Sequence, residues 1–109
     1  MTYEATLSAL ADSTRRTIFE RLRGGPLTVG EIAAGLPVSR AAVSQHLKVL
    51  KEAGLVSERP EGTKRIYRVE AEGLRSLKTY IEGYWSDVLG AYAKEAAKRK
   101  KQLDSRRKR

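Results

Sequence analysis

The segment SRAAVSQHLKVLKEAG, residues 39–54, has the clearest structural pattern in the chain. Ser39 suits a helix N-cap because its hydroxyl oxygen accepts a hydrogen bond from a backbone amide that has no partner inside the helix. Gly54 can end the helix, since glycine adopts the left-handed conformation without steric cost. At about 100° per residue, the apolar side chains between them fall on one arc. The stretch therefore predicts an amphipathic helix over residues 40–53 with these residues facing a core: Ala42, Val43, Leu47, Val49, Leu50 and Ala53.

The opposite arc of this helix is polar and basic. It carries Arg40, Ala41, Ser44, Gln45, Lys48, Lys51 and Glu52. An arginine can donate two hydrogen bonds to guanine, a glutamine can pair with adenine, and an alanine leaves room for a thymine methyl group. An ordinary solvated face would mix in more acids than the single Glu52. The arc favours a helix that reads base edges in the major groove of DNA.

Shorter helices are predicted before residue 39. Helical spacing of apolar residues starts the first one, at Tyr3, Leu7 and Leu10. Asp12 or Ser13 can cap a second helix, which the glycines and proline of residues 24–26 would stop. Thr28 and Glu31 fit a capping box that opens a third, and residues 35–38 form a short turn.

Two strands and a long helix are predicted after residue 54. Residues 55–59 and 65–69 have strand character, and residues 60–64 supply a polar turn with Gly and Pro between them. A helix of about 25 residues follows, near the upper limit for a lone globular helix. Its apolar stripe has steps of three and four residues: Leu74, Leu77, Ile81, Tyr84, Val88 and Ala91.

This order of elements predicts a mostly α fold with a small β-hairpin wing, a winged helix-turn-helix. The helix of residues 40–53 fits the major groove, and a basic hairpin beside it can reach the adjacent DNA backbone or minor groove. The expected partner is double-stranded DNA.

Three segments resemble the ArsR-type winged-helix repressors. They are residues 10–16 (LADSTRR), 27–33 (LTVGEIA) and 43–56 (VSQHLKVLKEAGLV). The resemblance covers most of residues 3–92. It implies a homodimeric transcription factor that binds a palindromic operator and dimerises through its first and last helices.

The resemblance, with the helical arc, assigns candidate site residues. The helix of residues 40–53 is called the recognition helix. On it and at its N-cap, the DNA-binding candidates are Ser39, Arg40, Ala41, Ser44, Gln45 and Lys48. On the wing, they are Arg59, Thr63, Lys64 and Arg65. The dimer interface is expected at Tyr3, Leu7, Leu10, Leu77, Ile81, Tyr84, Trp85, Val88 and Tyr92.

Metal binding and catalysis find little support in the composition. The chain has no cysteine and a single histidine, His46, so thiolate ligands and His pairs are excluded. Metal-sensing members of the family carry cysteines near the third helix or His and Asp on the last one, and this chain resembles the metal-independent members. No cofactor and no enzyme activity are expected. His46 is interpreted as a packed, hydrogen-bonded side chain that braces the recognition helix, with a phosphate contact as the alternative.

The charge is concentrated at one end of the chain. The net charge is +9, and residues 94–109 hold nine basic residues against two acidic ones. The sequence predicts a domain over residues 1–97 and a basic, disordered tail over residues 98–109, either a solvated terminus or an arm for a polyanion. No signal peptide and no membrane span are expected, which places the protein in the cytoplasm.

Two other functions remain open at this point. A nonspecific, nucleoid-type DNA binder would use the basic tail, and a winged-helix interaction module would bind protein in place of DNA. The aromatic cluster of the last helix, formed by Tyr80, Tyr84, Trp85 and Tyr92, is interpreted as a dimer core, with an effector pocket as the alternative.

Overall fold

The computed structural model describes residues 2–107, which form five α-helices, one short 3-10 helix and a three-stranded antiparallel sheet. The elements are α1 (Tyr3–Ala11), α2 (Ser13–Arg21), the 3-10 helix (Leu22–Gly24), β1 (Leu27–Thr28), α3 (Val29–Ala33), α4 (Arg40–Glu52), β2 (Val56–Glu61), β3 (Lys64–Val69) and α5 (Ala71–Arg107). By compactness the chain divides inside α5, between Lys78 and Thr79. The boundary expected after residue 97 stays a prediction.

The core of the first unit lies beneath α4. Val43, Leu47 and Leu50 are fully buried and pack with Ile18 of α2 and Ile32 of α3. These three residues of α4 belong to the apolar arc predicted from the sequence. The amphipathic helix is therefore confirmed, and its burial leaves the opposite arc facing outward.

Side-chain caps start α2 and α3 where the sequence predicts them. Asp12 accepts a hydrogen bond from the Arg15 amide at 2.9 Å, and this bond lowers the pKa of the Asp12 carboxyl. At α3, Thr28 accepts from the Glu31 amide at 3.2 Å while Glu31 accepts from the Thr28 amide at 3.0 Å. That reciprocal pair is the predicted capping box, and it lowers the pKa of Glu31.

Arginines of α2 hold the ends of two neighbouring helices. Carbonyl groups at a helix C-terminus have no partner inside the helix and carry partial negative charge. Arg15 donates to the Ala9 carbonyl at 3.1 Å, and Arg16 donates to the Leu10 carbonyl at 2.8 Å, both on α1. Arg21 donates to the carbonyls of Ile32 and Ala34 at the end of α3. Helix α2 thus fixes α3 relative to α1.

The wing is a tighter hairpin than the sequence predicts. Glu61 pairs with Lys64, so the turn contains only Gly62 and Thr63, and Gly62 has a φ of 63°. The expected turn over residues 60–64 is too long, because proline commonly marks a turn and Pro60 here pairs with Arg65. Pro60 lies instead in β2, an edge strand of the order β1-β3-β2, where a missing amide is tolerated. Strand β1, which pairs with β3, was not predicted.

Helix α5 begins with a close backbone contact. A Cβ atom on Gly73 would lie 2.5 Å from the carbonyl oxygen of Gly54, and the Gly73 amide donates to that oxygen at 3.0 Å. The buried hydroxyl of Thr6 donates to the Gly73 carbonyl at 3.4 Å. Only a residue without a side chain fits against the turn at Gly54.

Helix α5 is longer than predicted, with 37 residues against the expected 25 or so. Residues 98–107, for which the sequence predicts disorder, continue it as a helix, and residues 108 and 109 lie outside the described part of the chain. Lysine, arginine, alanine and glutamate all favour helix, and Glu95 pairs with Arg99 one turn later at 3.3 Å. Within residues 2–107, no helix is long and apolar enough to span a bilayer.

Candidate nucleic-acid interface

The outward arc of α4 is fully displayed on the surface. Arg40, Ala41, Ser44, Gln45 and Lys48 are all exposed. Helix α4 is anchored at its start by the neighbouring Ser39, whose hydroxyl accepts from the Ala42 amide at 3.1 Å. Ser39, a candidate DNA contact, is therefore the N-cap that orients this face. The DNA-binding roles of these side chains stay predictions.

The start of α4 and the wing share one cleft of about 370 Å³. Arg40 reaches it from α4, and Lys64 and Arg65 reach it from β3. Residues 28–31, at the start of α3, form the rest of its lining. The structure thus brings three of the predicted DNA-binding cations together, from two elements, around one opening.

Glu58 joins the wing to the far end of α4. Its carboxylate accepts from Lys51 of α4 at 2.7 Å and from Arg65 of β3 at 3.0 Å, and its side chain is only 16% exposed. The bond to Lys51, followed by one from the Tyr67 hydroxyl, lowers the pKa of Glu58 to about 2. Burial and the same carboxylate raise the pKa of Tyr67 to about 12. No pattern in the sequence indicates this cluster, because its members lie on three elements.

Most cations of the wing are paired within it. Arg59 lies 3.7 Å from Glu61, and Arg68 lies 3.5 Å from Glu70.

Within residues 2–107, Arg40 and Lys48 of α4 form no ion pair. Lys64 acts on Glu31 through charge alone, helping to lower the pKa of that carboxyl. Helix α4 therefore presents two positive charges without an ion-pair partner among the described residues, Arg40 and Lys48. The positive charge of the wing is already partly neutralised by its glutamates. Thr63 lies exposed at the wing tip.

His46 sits on α4 beside α2, where its Nδ1 accepts a hydrogen bond from Arg15 Nε at 3.5 Å. Arg15 also binds the end of α1, so His46 links the recognition helix to that junction. The contact supports the interpretation of His46 as a bracing residue. No group of three His, Cys, Asp or Glu side chains in the described part of the chain is arranged to hold a metal ion.

The predicted dimer residues remain largely uncovered. On α1, Thr6 and Ala9 are buried, while Leu7 is 44% exposed and Tyr3 and Leu10 are half-buried. On α5, Leu77 and Val88 are half-buried, and the others are exposed: Ile81, Tyr84, Trp85 and Tyr92. Two helices thus carry apolar side chains that the single chain does not bury.

Comparison with known proteins identifies the family to which this architecture belongs. A family model described as a helix-turn-helix domain matches residues 10–59. The HTH-type transcriptional regulator Rv2034 of Mycobacterium tuberculosis is 59% identical over 85 residues, which are 78% of this chain and 79% of that protein. The transcriptional repressor SdpR of Bacillus subtilis is 41% identical over 54 residues, 50% of this chain and 60% of that protein.

Solved structures give the same result. A possible transcriptional regulator for arsenical resistance superposes with a TM-score of 0.67 at 43% identity, covering 78% of this chain and 92% of that one. An ArsR-like transcriptional regulator from Rhodococcus sp. RHA1 gives a TM-score of 0.67 at 30% identity, covering 83% and 88%. The family is not enzymatic, and its winged helix-turn-helix is the fold described above. The chain belongs to the ArsR-type helix-turn-helix regulators and is a DNA-binding regulator of transcription.

Proposed function

We propose that this protein represses transcription by binding a palindromic operator as a homodimer, with α4 in the major groove and the wing on the adjacent backbone. The observation that carries the proposal is the cleft where Arg40 of α4 meets Lys64 and Arg65 of β3. Repression is supported by the relative SdpR, a named repressor, although HlyU of Vibrio cholerae, 34% identical over 71 residues, is a named activator.

Homodimer formation is supported by the uncovered apolar residues of α1 and α5. Leu7, Tyr84 and Trp85 are each more than 40% exposed, and soluble monomers rarely leave large contiguous apolar surface in water. A two-fold dimer would place its recognition helices about 34 Å apart, or a multiple of that distance, and would require matching half-sites. The operator is therefore proposed to be palindromic.

Base reading is assigned to α4 and backbone binding to the wing. A site would first be selected from random duplex, and affinities for that site and for random duplex would then be compared at one salt concentration. Arg40→Ala or Gln45→Ala should lower the preference for the selected site by about 1–3 kcal/mol each, the value of a bidentate base contact. Lys64→Ala is the matched control, because a lost phosphate contact should weaken binding to all sequences nearly equally. If Arg40→Ala weakened both affinities equally, the assignment of base reading to Arg40 would be wrong.

We further propose that the regulator acts without a metal effector and in the cytoplasm, where its DNA is. The chain has no cysteine, and its one histidine is bound by Arg15. The same binding assay, repeated with micromolar zinc and then a chelator, should show no change. A severalfold loss on adding zinc that chelation reversed would contradict this.

A further inference from the structure

The side chain of Arg40 rests against the backbone of Gly30. A Cβ atom built on Gly30 would lie 3.2 Å from Nη2, 3.3 Å from Cζ and 3.6 Å from Nη1 of Arg40. These three guanidinium atoms therefore lie within van der Waals contact distance of the position that a Cβ atom would occupy. The guanidinium covers the bare Cα of Gly30 at the edge of the cleft.

The backbone does not explain why residue 30 is glycine. Gly30 is not among the glycines with positive φ, and it lies inside the first turn of α3, where alanine has the higher helix propensity. What glycine supplies here is the space that Arg40 fills. The other two cations of the cleft have different restraints, since Arg65 is bound by Glu58 and Lys64 interacts with Glu31.

We propose that Gly30 is a positioning residue for Arg40. Because Gly30 has no side chain, the guanidinium group packs against its Cα, and this contact surface is called the shelf below. The shelf holds the guanidinium at the start of α4, where it can reach a base. Arg40 forms no ion pair within residues 2–107, so the packing contact with Gly30 is the interaction that restrains its side chain. An arginine that is already ordered loses less conformational freedom when it binds, which strengthens a contact that depends on geometry. The inference rests on the proposed base reading by Arg40.

The test is a graded series at residue 30. Gly30→Ala intrudes on the guanidinium by a few tenths of an ångström, and Gly30→Leu occupies the shelf, while both residues favour helix more than glycine does. The preference for the selected site over random duplex should fall about threefold in Gly30→Ala, less than the loss of a whole bidentate contact, and about tenfold in Gly30→Leu, within the range of about 5- to 150-fold that such a loss covers. Neither variant should have a lower melting temperature than the wild type.

Two controls separate positioning from a general structural effect. Gly24→Ala adds a methyl group where nothing lies within 4 Å, so it should leave the preference unchanged. In an Arg40→Ala background, Gly30→Ala should have no further effect on the preference, because the side chain through which it acts is gone.

The outcomes distinguish this inference from the function on which it rests. If Arg40→Ala lowers the preference and neither Gly30 variant does so, the shelf is refuted and the proposed function stands. If Gly30→Ala lowers the preference equally with and without Arg40, residue 30 acts by another route and the inference is also refuted. If Arg40→Ala leaves the preference unchanged, the base-reading assignment itself fails.

Discussion

Glu58 shows how one side chain can join the wing to helix α4. Its carboxylate binds Lys51 near the end of α4 and Arg65 on the wing, with Tyr67 as a third donor. These bonds hold the hairpin against the recognition helix. They also neutralise the charges of Lys51 and Arg65, so both the position of the hairpin and the charge of this surface depend on Glu58.

The lowered pKa of Glu58 predicts a specific weakness in acid. A carboxyl group whose pKa falls from 4.5 to about 2 on folding stabilises the folded state above pH 4.5 and loses that contribution as the pH falls toward 2. Between about pH 5 and pH 2, the wild type should therefore lose about 1–2 kcal/mol more stability than Glu58→Gln, after allowance for solvent screening. Urea denaturation at a series of pH values measures this difference.

Glu61→Gln is the matched control for this experiment. Glu61 is on the same hairpin, but its pair with Arg59 is 3.7 Å long and both side chains are 64% exposed. This substitution should leave the pH dependence of stability unchanged. Parallel curves for the wild type and Glu58→Gln would contradict the role assigned to Glu58.

At the scale of elements, the helices followed from the sequence and several contacts between elements did not. The 3.6-residue period of Val43, Leu47 and Leu50 is local information, so the buried face of α4 could be predicted. Strand β1 has two residues, too few to show an alternating pattern, and exists only because β3 pairs with it.

The contact of Arg40 with Gly30 could not be predicted either, because it depends on the angle at which α4 meets α3. Helix α5 was underestimated for a different reason. Its apolar stripe ends near residue 91, and the continuation to Arg107 depends on helix propensity and on pairs such as Glu95 with Arg99.

The exposed apolar side chains of α1 and α5 predict a dimer in solution. Light scattering at micromolar concentration should report twice the chain mass of 12.1 kDa. Trp85→Glu should shift the equilibrium toward monomer, because it places a charge among side chains that the dimer would desolvate. Asp87→Ala, at an exposed position on another face of α5, should not. A wild type that remained at 12.1 kDa would refute the dimer.

At the scale of the whole molecule, the charge is unevenly distributed. Residues 94–109 hold nine of the 22 basic residues, whereas the cations of the wing are largely paired with glutamates. A cluster of basic side chains neutralises phosphates without regard to the base sequence. The end of the chain is therefore expected to raise affinity for any duplex and to leave operator preference unchanged.

Deleting residues 98–109 tests this expectation. Each phosphate that a cation neutralises adds about 0.9 to the slope of log affinity against log salt, so the deletion should make the slope shallower. The ratio of selected-site to random affinity should not change. Replacing Lys98, Arg99, Lys100 and Lys101 with glutamine keeps the length and should reproduce part of the effect.

An unchanged slope would mean that the tail is a solvated terminus or serves another polyanion. A wild type with equal affinity for both duplexes would favour a nucleoid-type binder.

The contact of Gly73 with Gly54 determines how this chain can drift during evolution. At most positions the cost of a substitution grows with the size of the new side chain. At residue 73 the first added carbon already meets a backbone oxygen at 2.5 Å, so alanine is excluded along with every larger residue. Gly24, with nothing within 4 Å, accepts change gradually. Exposed positions can therefore change by a series of small substitutions. Residue 73, where α5 begins after the wing, has no small substitution available, because even alanine would meet the Gly54 carbonyl oxygen.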